Sequence, residues 1–184
     1  MTGPGGVEEE CVVLVDERDE VLGTMGKMDA HRGGHLHRAF SVFVFDAHGR
    51  PLLQKRAATK YHSGGLWSNA CCGHPRRGET IENAARRRLN EEMGIDRYAS
   101  PEFWFIYRAT LPNGLIEHEL DHVLFAQYDG VAEPSPDEVE QWRYADPDEL
   151  TRDLAEHPER YTAWLHISWP EVLARRGARP SSAA

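Results

Sequence analysis

The stretch Gly73–Ile95, GHPRRGETIENAARRRLNEEMGI, decides the fold. From Glu79 to Met93 it holds strong helix formers, with Ile81, Ala84, Ala85 and Leu89 near helical spacing and Gly94 as a stop. A helix over 79–93 is predicted. Arg88 and Glu92 lie four residues apart on one face of it, with Glu91 beside them. On a solvated surface such pairs stabilise a helix by only about 0.2–0.5 kcal/mol each. Facing a cleft, the same carboxylates could hold a hard cation such as Mg²⁺, which takes oxygen ligands and commonly shares them with substrate phosphates.

Outward from this helix, Cys11–Val15 is a short β-prone run, and Ala39–Phe45, the turn Asp46–Gly49 and Pro51–Arg56 read as a hairpin. Phe103–Thr110 and Ile116–Tyr128 flank Leu111–Gly114, whose proline and glycine favour a turn, and Val139–Tyr144 is a shorter strand. Helices are predicted over Asp146–Glu156, with Asp146 as N-cap before Pro147, and over Thr162–Arg175. Strands mixed with helices, without βαβ alternation, give an α+β fold, a mixed β-sheet sandwich with flanking helices. The expected layout is a single domain over 10–176, between a flexible Gly/Pro/Glu-rich segment 1–9 and a flexible tail 177–184.

Lys and Arg total 21 against 30 Asp and Glu, and the net charge of -9 argues against broad adhesion to nucleic acid or an anionic membrane. Any basic site must be local. No basic n-region with an apolar core opens the chain and no long apolar run interrupts it, so a soluble, cytoplasmic protein is expected. Cys11, Cys71 and Cys72 make an odd number without disulfide-framework spacing, which points to reduced thiols. Cys11 and Cys71 read as core residues, leaving Cys72 as the candidate reactive thiol.

The 73–95 segment closely resembles the Nudix box, G-x5-E-x7-R-E-U-x-E-E-x-G-U, with Gly73, Glu79, Arg87, Leu89, Glu91, Glu92, Gly94 and Ile95 in register. One position departs from it. Where the hydrolase pattern has Glu after the Arg, this chain has Arg88, which subtracts a metal ligand and adds a bidentate phosphate partner. That favours holding a diphosphate over cleaving it. With Cys72-Gly73-His74-Pro75, Lys27–His31, Leu36–Ser41, Arg56–Lys60, Tyr107–Thr110 and Glu117–Glu119, the chain resembles type 1 isopentenyl diphosphate isomerases from about residue 10 to 173.

The resemblance implies a Nudix-type fold and a set of roles. His31, His37, His74, Glu117 and Glu119 would bind one Mn²⁺, Zn²⁺ or Mg²⁺, a donor set that suits a borderline divalent ion. Glu117 and Glu119, two apart on a strand, point to one face. Lys27, Arg56, Lys60 and Arg88 would contact the diphosphate, and Glu92 would reach a Mg²⁺ shared with it. Cys72 as a thiolate base and Glu119 as an acid assisted by Tyr107 would shift a carbon–carbon double bond through a tertiary carbocation, with Trp169 as the aromatic face for the cation and Trp67, near the cysteine, as a second candidate. The expected partner is a small isoprenoid diphosphate, with no nucleic acid and no membrane, bound by a monomer or else a homodimer. The competing readings are a Nudix hydrolase acting on a diphosphate compound and a catalytically silent Nudix-fold binding module.

Overall fold

The computed structural model describes residues 10–178. The hairpin β1 (Cys11–Val15) and β2 (Val21–Gly26) is followed by a short helix α1 (Lys27–Gly33), the long strand β3 (His37–Phe45) and β4 (Leu52–Arg56). Two short strands, β5 (Trp67–Ser68) and β6 (Cys71–Gly73), lead into α2 (Ile81–Met93). Then come the long hairpin β7 (Ser100–Thr110) and β8 (Ile116–Gln127), strand β9 (Val139–Tyr144), and helices α3 (Pro147–Glu156) and α4 (Ala163–Ala178). The larger sheet runs β2-β1-β3-β8-β7 with β6 also paired to β3, and the smaller runs β5-β4-β9. β3 and β8 are parallel and every other pairing between the named strands is antiparallel, so the sheet is mixed, as expected.

The expected β3/β4 hairpin does not form. The two strands touch through a single bridge, Phe45 to Pro51, and then part into different sheets. The cause is the sequence of β3, which is apolar on both faces. Phe40, Val42 and Val44 pack with Ala84, Ala85, Leu89 and Met93 of α2. Phe43 and Phe45 pack with Leu150 and Leu154 of α3 and with Leu165, Trp169 and Val172 of α4. A strand covered on both faces, and paired with β8 on one edge and with β1 and β6 on the other, leaves no edge for β4.

Local signals define the helix ends. Thr80 caps α2 by accepting from the Asn83 N–H, so the helix starts two residues later than expected, while Glu79 turns outward to clamp Arg87 through two 2.8 Å bonds. At the other end Gly94 is left-handed (φ +67), and a Cβ there would lie 2.7 Å from the Glu133 carbonyl oxygen. Asp146 caps α3 at the backbone N–H groups of Asp148 and Glu149, with Pro147 in the first turn. Cys71 is buried in the α2 core, but Cys11 is exposed rather than core, because it opens its strand instead of lying inside it. Gly177 and Ala178, assigned by composition to the tail, continue α4; segments 1–9 and 179–184 lie outside the described residues. Among the described residues no helix is long and apolar enough to cross a membrane.

Leu89 is fully buried between α2 and β3. Replacing it with Ala should lower the free energy of unfolding by about 3 kcal/mol, read as a lower urea midpoint with an unchanged slope.

Candidate functional site

The site is built on β8. Glu117, Glu119 and Asp121 alternate along it and share a face, and pairing in register sets His37 of β3 opposite Glu119 on one side and Tyr107 of β7 opposite it on the other. Helix α1 supplies His31, and the turn after β6 supplies His74. Ligand atoms of His31, His37, His74 and Glu119 all lie within 4.8 Å of one another, as do those of His31, His62 and Glu117. His74 Nε2 is 3.0 Å from Glu119 Oε1, and His37 Nε2 is 3.4 Å from the same oxygen without the alignment of a hydrogen bond. The Tyr107 hydroxyl spans the two acids, 2.7 Å from Glu119 Oε2 and 3.1 Å from Glu117 Oε2.

This cluster fits a divalent cation. His31 donates through Nδ1 to the Lys27 carbonyl (2.7 Å) and His37 through Nδ1 to the His35 carbonyl (2.8 Å), which leaves each Nε2 as the lone-pair nitrogen. Both Nε2 atoms are buried and have no hydrogen-bond partner, a state that costs free energy unless something binds them. Burial lowers the pKa of His31 and brings that of His74 down to about 4 despite Glu119, so both rings are neutral at pH 7, the form that binds metal. Burial and the charge on Glu119 raise the Glu117 carboxyl well above its ordinary range. Burial pushes Glu119 the same way, but His37 and His74 hold it well below, so Glu119 is the charged member of the pair.

Beside the cluster is a cavity of about 60 Å³. Of the residues expected from sequence, Lys27, Arg56, Lys60, Cys72, His74, Arg88, Glu92, Glu117 and Glu119 line it. His31 and His37 are fully buried in the cluster, and Tyr107 touches the site through its hydroxyl. Cys72 accepts from Arg56 Nη1 at 3.6 Å. Burial nevertheless pushes its thiol up to about 12, against the pull of Arg56, with Glu92 and Glu119 adding to the rise. The resting group is therefore a thiol, not the thiolate expected. Glu92 is engaged at both oxygens, by Arg88 at 2.7 Å and by Gln54 at 2.9 Å.

Trp169 is not in the cavity. It is 2% exposed, stacks on Phe43 with ring centroids 6.3 Å apart, and donates its indole N–H to Thr151, so it belongs to the α4 core. The tryptophan that lines the cavity is Trp164, one helical turn and a half earlier, held by Ser68 and Asn69 with the Arg56 guanidinium 5.4 Å from its ring centre. Five residues separate the two rings, which turns them to different faces of α4. Sequence reading also missed Tyr61, His62, Ser41 and Asp121. For Asp121 the signal was present, because it is the third acid in the alternation that begins at Glu117. His62 and Tyr61 lie in a loop with no periodicity to assign them a face.

Comparison with known proteins accords with this geometry. The NUDIX domain family model matches residues 35–165. Isopentenyl-diphosphate Delta-isomerase 2 of Aromatoleum aromaticum is 52% identical over 96% of this chain and 93% of its own length. The Isopentenyl-diphosphate Delta-isomerase of Pectobacterium atrosepticum is 50% identical over 88% of this chain and 90% of its own. Among solved structures, a Deinococcus radiodurans protein superposes with a TM-score of 0.73 at 24% identity, covering 92% of this chain and 100% of its own, a likeness of fold.

Titration with Mn²⁺ or Zn²⁺ should show one ion bound per chain and a higher melting temperature, about 2.7 kcal/mol of added stability when the free ion is at a hundred times its dissociation constant. His37→Ala should bind the ion at least tenfold more weakly and lose most of that stabilisation, as calorimetry and thermal unfolding would report.

Proposed function

This chain belongs to the NUDIX domain family and, within it, to the isopentenyl-diphosphate Delta-isomerases, and we propose that it interconverts isopentenyl and dimethylallyl diphosphate with Cys72 and Glu119 as the proton-exchanging pair. The observation that carries this assignment is their joint presence on the wall of one cavity, where burial favours the thiol form of Cys72 and the neighbouring imidazoles favour the charged form of Glu119. The forward reaction adds a proton at the terminal alkene carbon and removes one from the carbon next to the diphosphate-bearing carbon, so it needs one donor and one acceptor together. The resting thiol gives its proton to the alkene carbon and the Glu119 carboxylate takes one from the substrate; exchange with solvent returns both groups to their resting forms before the next forward turnover, and the reverse reaction exchanges their roles. This assignment runs opposite to a thiolate base at Cys72.

Tyr107, hydrogen bonded to both Glu117 and Glu119, orients Glu119 and relays its proton. The tertiary cation between the two transfers needs an electron-rich face and exclusion of water. Trp164, on the cavity wall, is the aromatic residue for that task, in place of Trp169. Arg56, Lys60, Lys27 and Arg88 hold the diphosphate, and Glu92 reaches a Mg²⁺ shared with it. A resident Mn²⁺, Zn²⁺ or Mg²⁺ held by His31, His37, His74, Glu117 and Glu119 would supply positive charge that fixes the two carboxylates in place and keeps Glu119 ionised. The remaining work falls to the chain: burial of the reacting carbons, placement of Cys72 by β6, and placement of Glu119 by β8. Arg88 in the position of a hydrolase carboxylate supports isomerisation without phosphate release. A reduced Cys72 suits a single chain working in the cytoplasm.

Proton NMR of the protein with isopentenyl diphosphate and Mg²⁺ in D₂O should show dimethylallyl diphosphate, deuterium incorporation and no released phosphate. Cys72→Ala and Glu119→Gln should each lose at least a thousandfold in turnover with unchanged circular dichroism, on the order of 4 kcal/mol of transition-state stabilisation. A fully active Cys72→Ala enzyme would overturn the pair. Trp164→Phe should cut turnover by roughly tenfold or more, since a cation over an aromatic face in a dry site is worth about 2 kcal/mol. Trp169→Phe should leave turnover intact and cost only stability.

A further inference from the structure

The cavity's cations are already compensated. Lys27 pairs with Glu10 at 2.9 Å, and Arg88 holds Glu91 and Glu92 at 2.7 Å each. Glu138, just before β9, pairs with Lys60 through Oε2 and lies 3.4 Å from Arg88 Nη2 through Oε1, so one carboxylate bridges two of the four cations assigned to the diphosphate. Its backbone is fixed from both sides. The Glu138 carbonyl accepts from Ala57 N–H at 2.9 Å, and its N–H donates to Ser135, whose own N–H bonds the Glu92 carbonyl at the end of α2. The Glu138 backbone is therefore held where the Lys60 loop meets the end of α2. Among the described residues Arg56 is the exception: no carboxylate stands within ion-pair distance of it, and its buried Nε has no hydrogen-bond partner.

We propose that Glu138 is a specificity-determining residue that makes capture of the diphosphate conditional on a divalent cation. The inference rests on Lys60 and Arg88 as diphosphate contacts. A bare diphosphate, a multiply charged anion, finds one uncompensated cation in Arg56, and to engage Lys60 and Arg88 it must approach the Glu138 carboxylate. Like charges at that range in a partly dry cavity repel strongly. The same anion carrying Mg²⁺ arrives with much of its charge neutralised and meets little of that repulsion. Glu138 thus rejects metal-free polyanions, while holding the Lys60 ammonium and the Arg88 guanidinium in place for the complex that is accepted.

The test measures apparent affinity for inorganic pyrophosphate and isopentenyl diphosphate by calorimetry, in magnesium-free buffer and at saturating Mg²⁺. Native protein should bind far more tightly with Mg²⁺. Glu138→Gln, which keeps size and hydrogen-bonding capacity but removes the charge, should bind the metal-free anions about five- to tenfold more tightly and the Mg²⁺ complexes within twofold of native, so the Mg²⁺ preference collapses. Circular dichroism should be unchanged, and Glu138→Asp should restore the native preference at least in part. An unchanged Mg²⁺ preference in Glu138→Gln, or equal weakening under both conditions, would overturn the proposal and leave Glu138 a structural brace. Lys60→Ala and Arg88→Ala separate the two levels: if neither weakens Mg²⁺-diphosphate binding, the assignment of the diphosphate site itself fails, whereas weakening there with no effect of Glu138→Gln defeats only the role of Glu138.

Discussion

Two carboxylates buried side by side on one strand are the constraint around which this molecule is arranged. Glu117 and Glu119 are 2% and 7% exposed, and two like charges so placed cannot both persist without compensation. The protein resolves this by splitting the pair, with Glu117 pushed toward its neutral form and Glu119 toward its charged form, within hydrogen-bond distance of His74 and Tyr107. Around them stand three imidazoles whose other nitrogens or ring positions are fixed by burial and backbone carbonyls, and a tyrosine hydroxyl that ties the acids together. Such a group is costly to bury for stability alone. Its cost is understandable when a cation and a reacting substrate are what it serves.

The same constraint explains the topology. Glu119 needs partners from both sides, and only a strand with neighbours on each edge can receive them. β8 lies between β3, which brings His37, and β7, which brings Tyr107. β6, paired to the far side of β3, sets Cys72 opposite Ser41, whose hydroxyl donates to Asp121 at 2.8 Å. The two cores on either face of β3 pack this strand tightly, and β3 in turn pairs with the strands that carry Cys72 and Glu119. The Nudix helix then contributes its Arg88–Glu92 face to the cavity wall while its apolar face closes one of those cores.

Electrostatic balance is the second theme of the site. Acids and bases alternate around the cavity, and nearly every base is met by an acid before any ligand arrives. A chain with net charge -9 that binds an anion has to concentrate positive charge locally without attracting every anion in the cell. Pairing its cations with carboxylates keeps the field short-ranged. Under the role proposed for Glu138, a substrate that carries its own cation is the one suited to such a place.

Much of this was legible in the residues alone. The helix and its glycine stop followed from apolar spacing, the α3 cap from Asp146-Pro147, and the common face of Glu117 and Glu119 from the two-residue period of a strand. Resemblance then named the histidines, the thiol and the cations, and the fold brings all of these to one place. What the chain could not announce locally depended on neighbours distant in sequence. Periodicity cannot tell which of Trp164 and Trp169 faces the cavity, since both lie on one amphipathic helix and only its docking against β3 decides. Nor could it separate β3 from β4, because a strand's partners depend on which of its edges are already taken. The protonation of Cys72 was beyond it as well: nearby basic residues argued for a thiolate, but burial among Glu92, Glu119 and Asp121 outweighs Arg56, and burial is a property of the assembled fold. Sequence thus determined most of the elements and many of the residues that meet at the cavity, while tertiary structure decided their facing, their partners and their charge, because those depend on desolvation and on contacts between residues that the chain itself keeps far apart.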